Sequence, residues 1–221
     1  MIEAAIRIAV NDPVETVTGL IQVPTEARAI LVLAHGAGAG MNHPHMNNLA
    51  GSLLKQGIAC FRFNFPFIEK GSRRADSLPV AIDCSRAAIN TVITYQPDLP
   101  LFIGGHSFGG RIATHVAVDP PEQVRGLIAY SFPLHPAKKP SVQRAEHLTR
   151  VSLPMLFING ERDRLAEAEL LNATQQSLPQ LKTHWLKGAD HSYKTTKSSA
   201  RSAAQTYLEA AAASNQFINE H

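Results

Sequence analysis

The chain has 221 residues, of which 44% are hydrophobic and 18% charged, and its formal net charge is +3 at neutral pH. This composition is typical of a compact globular protein and argues against a disordered chain, and so small a positive charge argues against nucleic-acid binding. No apolar run approaches the length that crosses a bilayer. We therefore predict a single domain over residues 1–221 with no nucleic-acid or membrane partner.

The first predicted elements are two β-strands. Apolar residues alternate between Ile2 and Val10, and a second β-rich segment covers 17–23, so we predict an antiparallel pair. From residue 29 onward, continuous apolar runs alternate with helical patterns, which indicates an α/β fold with a mostly parallel sheet covered on both faces. The predicted strands are 29–34, 58–65, 101–103, 124–131, 155–159 and 181–186, and the predicted helices are 44–56, 78–95, 110–118, 141–148, 165–178 and 196–213.

The most informative motif is Gly105-His106-Ser107-Phe108-Gly109, which follows a predicted strand and precedes a predicted helix. A serine on such a sharp turn is exposed for nucleophilic attack, and the positions two before and two after it crowd each other. Both positions must therefore be nearly free of side chain, and glycine meets this demand. The motif predicts that Ser107 is a catalytic nucleophile.

A nucleophilic serine requires a base, and the base requires an acid that holds its orientation. In sheets of this type the two partners follow the serine on later loops, the acid first and the histidine second. Two acids follow the strand 155–159, and we prefer Asp163 because a shorter side chain suits a fixed hydrogen bond, with Glu161 as the alternative. His191 lies in the loop between the last predicted strand and the last predicted helix, so it is the predicted base.

Backbone N–H groups are needed to stabilise the oxyanion that forms at the substrate. We predict one donor at Phe108, directly after the nucleophile, and the other at Ala37, in a loop of small residues after the strand 29–34. This loop lacks the Lys-Ser/Thr ending of a P-loop, and Met41 replaces the third glycine of a dinucleotide-binding motif. Both departures argue against nucleotide binding.

Weaker signals come from three other groups of residues. Phe65 and Phe67 lie at the end of a predicted strand and are candidates for substrate binding. His43 and His45 have no carboxylate or thiol nearby, so we predict no metal site. Four arginines are interpreted as solvated or structurally paired rather than as a site for an anionic substrate group, namely Arg62, Arg73, Arg74 and Arg111.

Two observations bear on the compartment. Cys60 and Cys84 are the only cysteines, and both lie among apolar residues, as expected of buried thiols in a reducing environment. The first seven residues carry charge where a signal peptide requires an apolar segment. We predict a cytoplasmic protein.

With Ser107, Asp163, His191 and the small-residue loop assigned, the chain resembles the α/β-hydrolase superfamily over nearly its full length, and its dienelactone-hydrolase-like members in compactness. The segments LVLAHGAGA (31–39), RFNFPF (62–67) and GGR (109–111) are also similar to a small hydrolase-like family shared with a testis-expressed protein and a subunit of the nonspecific-lethal chromatin complex. The resemblance implies a single-domain α/β-hydrolase fold with about seven or eight strands and no large lid.

The predicted function is hydrolysis of a small ester or related acyl substrate through an acyl-enzyme, without a cofactor or metal. An amidase or thioesterase would use the same triad. A non-catalytic hydrolase-like module that binds a partner through its surface is the alternative from another class. The sequence leaves the physiological substrate and the oligomeric state open.

Overall fold

The computed structural model of the protein describes residues 1–196 and 199–221. It contains an eight-stranded sheet whose strands are β1 (Ile2–Ala9), β2 (Thr16–Val23), β3 (Ala29–Ala34), β4 (Ile58–Phe63), β5 (Leu101–His106), β6 (Val124–Tyr130), β7 (Met155–Gly160) and β8 (Leu181–Leu186). The helices in the described ranges are α1 (Pro44–Lys55), α2 (Pro66–Glu69), α3 (Leu78–Tyr95), α4 (Phe108–Val116), α5 (Ala168–Gln176) and α6 (Ala203–Asn219), with a 3₁₀ helix at Gln143–Arg150.

The strand order is β1-β2-β4-β3-β5-β6-β7-β8. The opening pair is antiparallel as predicted, β2 also pairs antiparallel with β4, and the strands from β4 to β8 run parallel. The chain moves from β3 to β4 on one side and later to β5 on the other, so the strand order reverses at β3. Ligands of open α/β sheets bind beyond the carboxyl ends of the strands at such a reversal.

Helices cover both faces of the sheet, and the side chains of β3 show the two layers. Ile30 and Val32 belong to the core beneath α3, α4 and α5, whereas Leu31 and Leu33 belong to the core beneath α1 and α6. A strand buried on both faces has apolar residues at successive positions, so these strands can be recognised in the sequence as continuous apolar runs. None of the helices in the described ranges is long and apolar enough to cross a bilayer.

One predicted α-helix is wrong in type. The segment 141–148 forms the 3₁₀ helix Gln143–Arg150, and its buried apolar side chains, Ala145 and Leu148, are three residues apart. This spacing matches the three residues per turn of a 3₁₀ helix, and so short a pattern does not distinguish the two helix types in sequence.

The last helix begins later than predicted. It starts at Ala203, after a capping box in which Ser202 and Gln205 satisfy each other's backbone N–H groups, and it continues to Asn219. The sequence pattern Ser-x-x-Gln is a start signal that the apolar periodicity alone overlooked. Residues 197 and 198 of the predicted helix 196–213 lie outside the described residues. The short helix α2, which begins with Pro66 at its first position, was not predicted.

Candidate active site

Ser107 is the single residue between β5 and α4, and it forms a tight turn with φ 52° and ψ −112°. A positive φ is rare for a residue with a side chain, and such strain persists only where the surroundings enforce it. The two flanking glycines show how the surroundings do so. A Cβ atom on Gly105 would lie 2.5 Å from the carbonyl oxygen of Ala34, and one on Gly109 would lie 2.4 Å from the same oxygen. The steric requirement for glycine at both positions is therefore met as the motif predicted.

The structure brings His191 and Asp163 to Ser107. The Nε2 atom of His191 lies 2.9 Å from the Ser107 hydroxyl, and its Nδ1 atom lies 2.7 Å from Oδ2 of Asp163. The other carboxylate oxygen of Asp163 accepts a hydrogen bond from the Leu165 N–H at 2.8 Å. With both oxygens engaged and the side chain inaccessible to solvent, the Asp163 carboxylate is held in one orientation.

Glu161, the alternative acid, does not contact His191. Its carboxylate instead accepts a hydrogen bond from the Gly188 N–H at 2.8 Å, at the surface. The reason lies in the packing of the loops after β7 and β8, because a Cβ atom on Gly160 would lie 2.4 Å from the carbonyl oxygen of Ala189. This close contact brings Asp163, three residues past Gly160, beneath His191.

The small-residue loop after β3 forms one wall of the cleft at Ser107. The cleft has a volume of about 290 Å³, and its lining includes Gly36, Ala37, Gly38, Ala39, Ser107 and His191. Within the described ranges, the Ala37 N–H donates no hydrogen bond. The Phe108 N–H begins α4 and so has no partner inside the helix. Neither predicted oxyanion donor is therefore engaged in a backbone hydrogen bond with the described residues.

Phe65 and Phe67 do not line this cleft, so their prediction as substrate-binding residues is wrong. They are 0% and 2% exposed, and their rings pack against that of Phe108 with centroids 5.3 Å and 6.4 Å away. Since the chain turns into α2 at Pro66, both rings are directed under the start of α4 instead of into the cleft. The two buried rings therefore support the side chain of Phe108.

His35 holds the small-residue loop, a role that sequence reasoning missed. Its Nε2 atom accepts a hydrogen bond from the Phe65 N–H at 3.0 Å, and its Nδ1 atom lies 2.7 Å from the carbonyl oxygen of Gly36. This arrangement requires the neutral ring with a proton on Nδ1. Burial lowers the pKa of His35 to about 4, consistent with that form.

His106 and His45 form a second support, under the loop of His191. The Nε2 atom of His106 lies 3.0 Å from the carbonyl oxygen of His191, and the rings of His106 and His45 are 4.0 Å apart. The Nδ1 atom of His45 lies 2.9 Å from the Tyr207 hydroxyl on α6. Burial lowers the pKa of His45 to about 4 and that of His106 well below its ordinary value. Their place in the sequence excluded both from the role of base, but it did not reveal this supporting role.

The buried histidines make stability depend on pH. The pKa of His35 and of His45 is about 4 in the folded state and about 6.5 in the unfolded state. The unfolded chain therefore binds more protons between these values, so their contribution is complete above about pH 6.5 and is lost as the pH falls toward about 4, by on the order of 3 kcal/mol each. We expect the free energy of unfolding, measured in urea, to decrease between about pH 7 and about pH 5.

The matched variants for this prediction are His35→Gln and His221→Gln. The first removes a buried titrating group and makes the decrease shallower, whereas the second replaces an exposed histidine and serves as the control. Equal pH dependence of the wild type and His35→Gln would contradict the assignment.

The other candidate residues, the arginines and the cysteines, differ in their surroundings. Arg62 is buried and donates hydrogen bonds to Gln22, Met41 and Asn47, which confirms a structural role, and the Arg73 and Arg74 side chains are exposed. Both cysteines are buried free thiols. Among the residues that the structure describes, no cluster of three or more His, Cys, Asp or Glu residues is arranged to hold a metal ion. Arg111 is partly exposed, forms no ion pair with the described residues, and lines a separate cavity.

Comparison with known proteins identifies the family. Residues 27–219 match the family model described as an alpha/beta hydrolase domain. The chain belongs to this family. A "Putative phosphoribosyl transferase" from Mycobacterium tuberculosis is 29% identical over 167 residues, which is 74% of this alpha/beta hydrolase but 36% of that relative. The chain thus spans about a third of the length of the curated relatives that it matches first.

Solved structures share the fold of this alpha/beta hydrolase at low sequence identity. Dienelactone hydrolase from Anabaena variabilis superposes with a TM-score of 0.74 at 18% identity, covering 100% of this chain and 98% of that one. A serine hydrolase homologue from Coxiella burnetii has a TM-score of 0.71 at 20% identity, with 100% and 97% covered. The neighbours are thus dienelactone-hydrolase-like, as the resemblance implied. The narrower similarity to the testis-expressed and chromatin-complex proteins stays a prediction.

Proposed function

We propose that this alpha/beta hydrolase is a serine hydrolase that cleaves small esters through an acyl-enzyme. The observation that carries the proposal is the hydrogen-bonded chain from Ser107 through His191 to Asp163, at 2.9 Å and 2.7 Å. A nucleophile within hydrogen-bond reach of a base, with the base oriented by a buried acid, is the arrangement that activates a serine hydroxyl.

The proposed reaction has two halves. His191 Nε2 takes the hydroxyl proton as Ser107 Oγ bonds to the substrate carbonyl carbon, and the N–H groups of Ala37 and Phe108 stabilise the oxyanion. The bond to the alcohol then breaks, and His191 returns the proton to the leaving oxygen. In the second half His191 deprotonates water, which attacks the acyl-enzyme and releases the acid with Ser107 restored. Throughout, Asp163 keeps the proton on Nδ1 and stabilises the charged ring.

The dimensions of the cleft support a small substrate. A volume of about 290 Å³ lies just below the usual range for small-molecule sites, roughly 300–1,000 Å³. Dienelactone hydrolase and the serine hydrolase homologue support hydrolysis as the reaction class by their names and shared fold. The phosphoribosyl transferase activity in the relative's name is not carried over, because the match covers 36% of that protein. The proposal includes a cytoplasmic location, which rests on the two buried free thiols.

A fluorophosphonate probe tests whether Ser107 is an activated nucleophile. We expect covalent labelling of the wild type and none of Ser107→Ala, because the probe phosphonylates only a serine whose base removes its proton. Ser131→Ala is the matched control, since Ser131 is a buried serine outside the site and its loss should leave labelling intact. Labelling is read by intact mass.

Parallel panels of short-chain esters, thioesters and amides then assign the reaction. Turnover of esters above the other two classes supports the proposal, and a preference for thioesters or amides assigns the same triad to that chemistry instead. Folded wild type that is neither labelled nor active on any panel contradicts it and favours a non-catalytic binding module.

A further inference from the structure

A second cavity is lined in part by α4 and, at about 970 Å³, is much larger than the cleft at Ser107. We call it the basic cavity. It is bounded by α4, the loop after β6 and the 3₁₀ helix, and it has no lining residue in common with the cleft at Ser107. Its lining includes four permanent cations and a single carboxylate, from Arg111, Lys139, Arg144, Arg150 and Glu146.

The four cations are not paired with carboxylates in the part of the chain that the structure describes. Across the described residues, none of them forms an ion pair, and the one hydrogen bond from their charged groups joins Arg144 to the carbonyl oxygen of Pro133 at 3.3 Å. The Nε atom of Arg111 is buried without a partner. Burial lowers the pKa of Arg111, and the positive charge of Arg144 lowers it further. Gathering like charges without compensation costs free energy that a bound anion would recover.

Two histidines also line the basic cavity. The rings of His115 and His147 stack with centroids 3.7 Å apart and planes 10° apart. The Thr114 hydroxyl donates to the carbonyl oxygen of Arg111 at 2.6 Å, so it accepts from Nε2 of His147 at 2.8 Å. Nε2 of His115 is buried with no hydrogen-bond partner. Burial lowers the pKa of each ring to about 4, which makes both neutral near pH 7. The cavity thus holds an unsatisfied ring nitrogen that the positive charges of Arg111 and Arg150 influence.

We propose that the basic cavity binds a small organic anion that carries a phosphate group or several carboxylates. Guanidinium groups bind both kinds of oxyanion through paired N–H donors, and Arg111 and Arg144 supply two of them at the cavity wall. A cavity of about 970 Å³ accommodates a metabolite-sized ligand. The site is distinct from the nucleophile, so it does not rest on the proposed function.

Isothermal titration tests the site with three probes at low salt: inorganic pyrophosphate, citrate and, as an uncharged control, glycerol. We expect the wild type to bind one or both anions and not glycerol. Binding of pyrophosphate but not of citrate identifies a phosphate ligand, and binding of citrate but not of pyrophosphate identifies a polycarboxylate. Absence of binding for both anions overturns the proposal. Because the readout is binding, the result is independent of whether Ser107 acts as a nucleophile, and Ser107→Ala should bind equally well.

Two double variants separate a built site from general positive charge. Arg111→Gln with Arg150→Gln should weaken binding by at least about 10-fold, whereas Arg73→Gln with Arg74→Gln, which removes the same charge from an exposed pair, should change it by less than about 2-fold. Equal weakening in both overturns the proposal. Two single variants that change exposed side chains guard against misfolding: Arg150→Gln should weaken binding, and Glu146→Gln should tighten it by removing the only carboxylate of the cavity.

Discussion

Replacing Asp163 with asparagine is expected to lower kcat for ester hydrolysis by about 10⁴-fold without unfolding the protein. The reason is the second hydrogen bond of this side chain. Because Oδ1 of Asp163 accepts from the Leu165 N–H, an asparagine keeps its carbonyl oxygen there and directs its NH₂ group toward Nδ1 of His191. The imidazole must then carry its proton on Nε2, where it cannot accept the proton of Ser107.

Glu161→Gln is the matched control, because it removes a carboxylate two residues away whose one hydrogen bond among the described residues is to the Gly188 N–H at the surface. Its kcat should stay within about 3-fold of the wild type. Both variants are compared with Ser107→Ala by steady-state kinetics and by circular dichroism. A loss for Glu161→Gln as large as that for Asp163→Asn would mean that the other acid orients the base.

Gly109→Ala has the largest expected effect on stability. Its Cβ atom would meet the carbonyl oxygen of Ala34 at 2.4 Å, the carbonyl carbon of Ala34 at 2.6 Å and the carbonyl oxygen of His35 at 2.6 Å. All three are main-chain atoms at the end of β3, so no side chain can rotate away. We expect the free energy of unfolding to fall by about 3–5 kcal/mol and the Tm by about 10 °C.

The comparison is Gly51→Ala on α1, where an added Cβ meets nothing within 4 Å. Alanine is favoured over glycine inside a helix, so this variant should raise the free energy of unfolding by about 0.5–1 kcal/mol. Thermal unfolding of both variants and the wild type should show a lower Tm for Gly109→Ala and a higher Tm for Gly51→Ala. A Tm for Gly109→Ala within about 2 °C of the wild type would show that the turn can relax around the new methyl group.

Local requirements explain what could be predicted for the site. The strand-turn-helix geometry at Ser107 needs glycine at two fixed positions, and both positions lie within a segment of five residues. The chain order of Asp163 and His191 follows from loops that leave successive parallel strands at the same edge of the sheet. The buried strands were recognisable for the same reason, since each carries its own apolar run.

Predictions failed where the outcome depended on how distant segments pack. Phe65 and Phe67 were assigned to the cleft by extending a strand, but the chain turns at Pro66 and buries both rings beneath Phe108. His35 and His106 were excluded as the base by their position, but their role in holding loops depends on contacts with Phe65 and His191. Such contacts join residues 30 and 85 positions apart.

The sequence by itself determined the α/β architecture and the nucleophile turn, because steric and periodic constraints on those features act over a few residues. Chain order then left Asp163 and Glu161 as candidate acids for His191. The tertiary structure alone decided that Asp163 and not Glu161 reaches His191, through the contact of Gly160 with Ala189. It also decided that Arg111 joins Arg144 and Arg150 around one cavity. Arg111 comes from α4 and the other two arginines from the 3₁₀ helix, and the free energy of a charge depends on its neighbours in space, which no local pattern in the chain encodes.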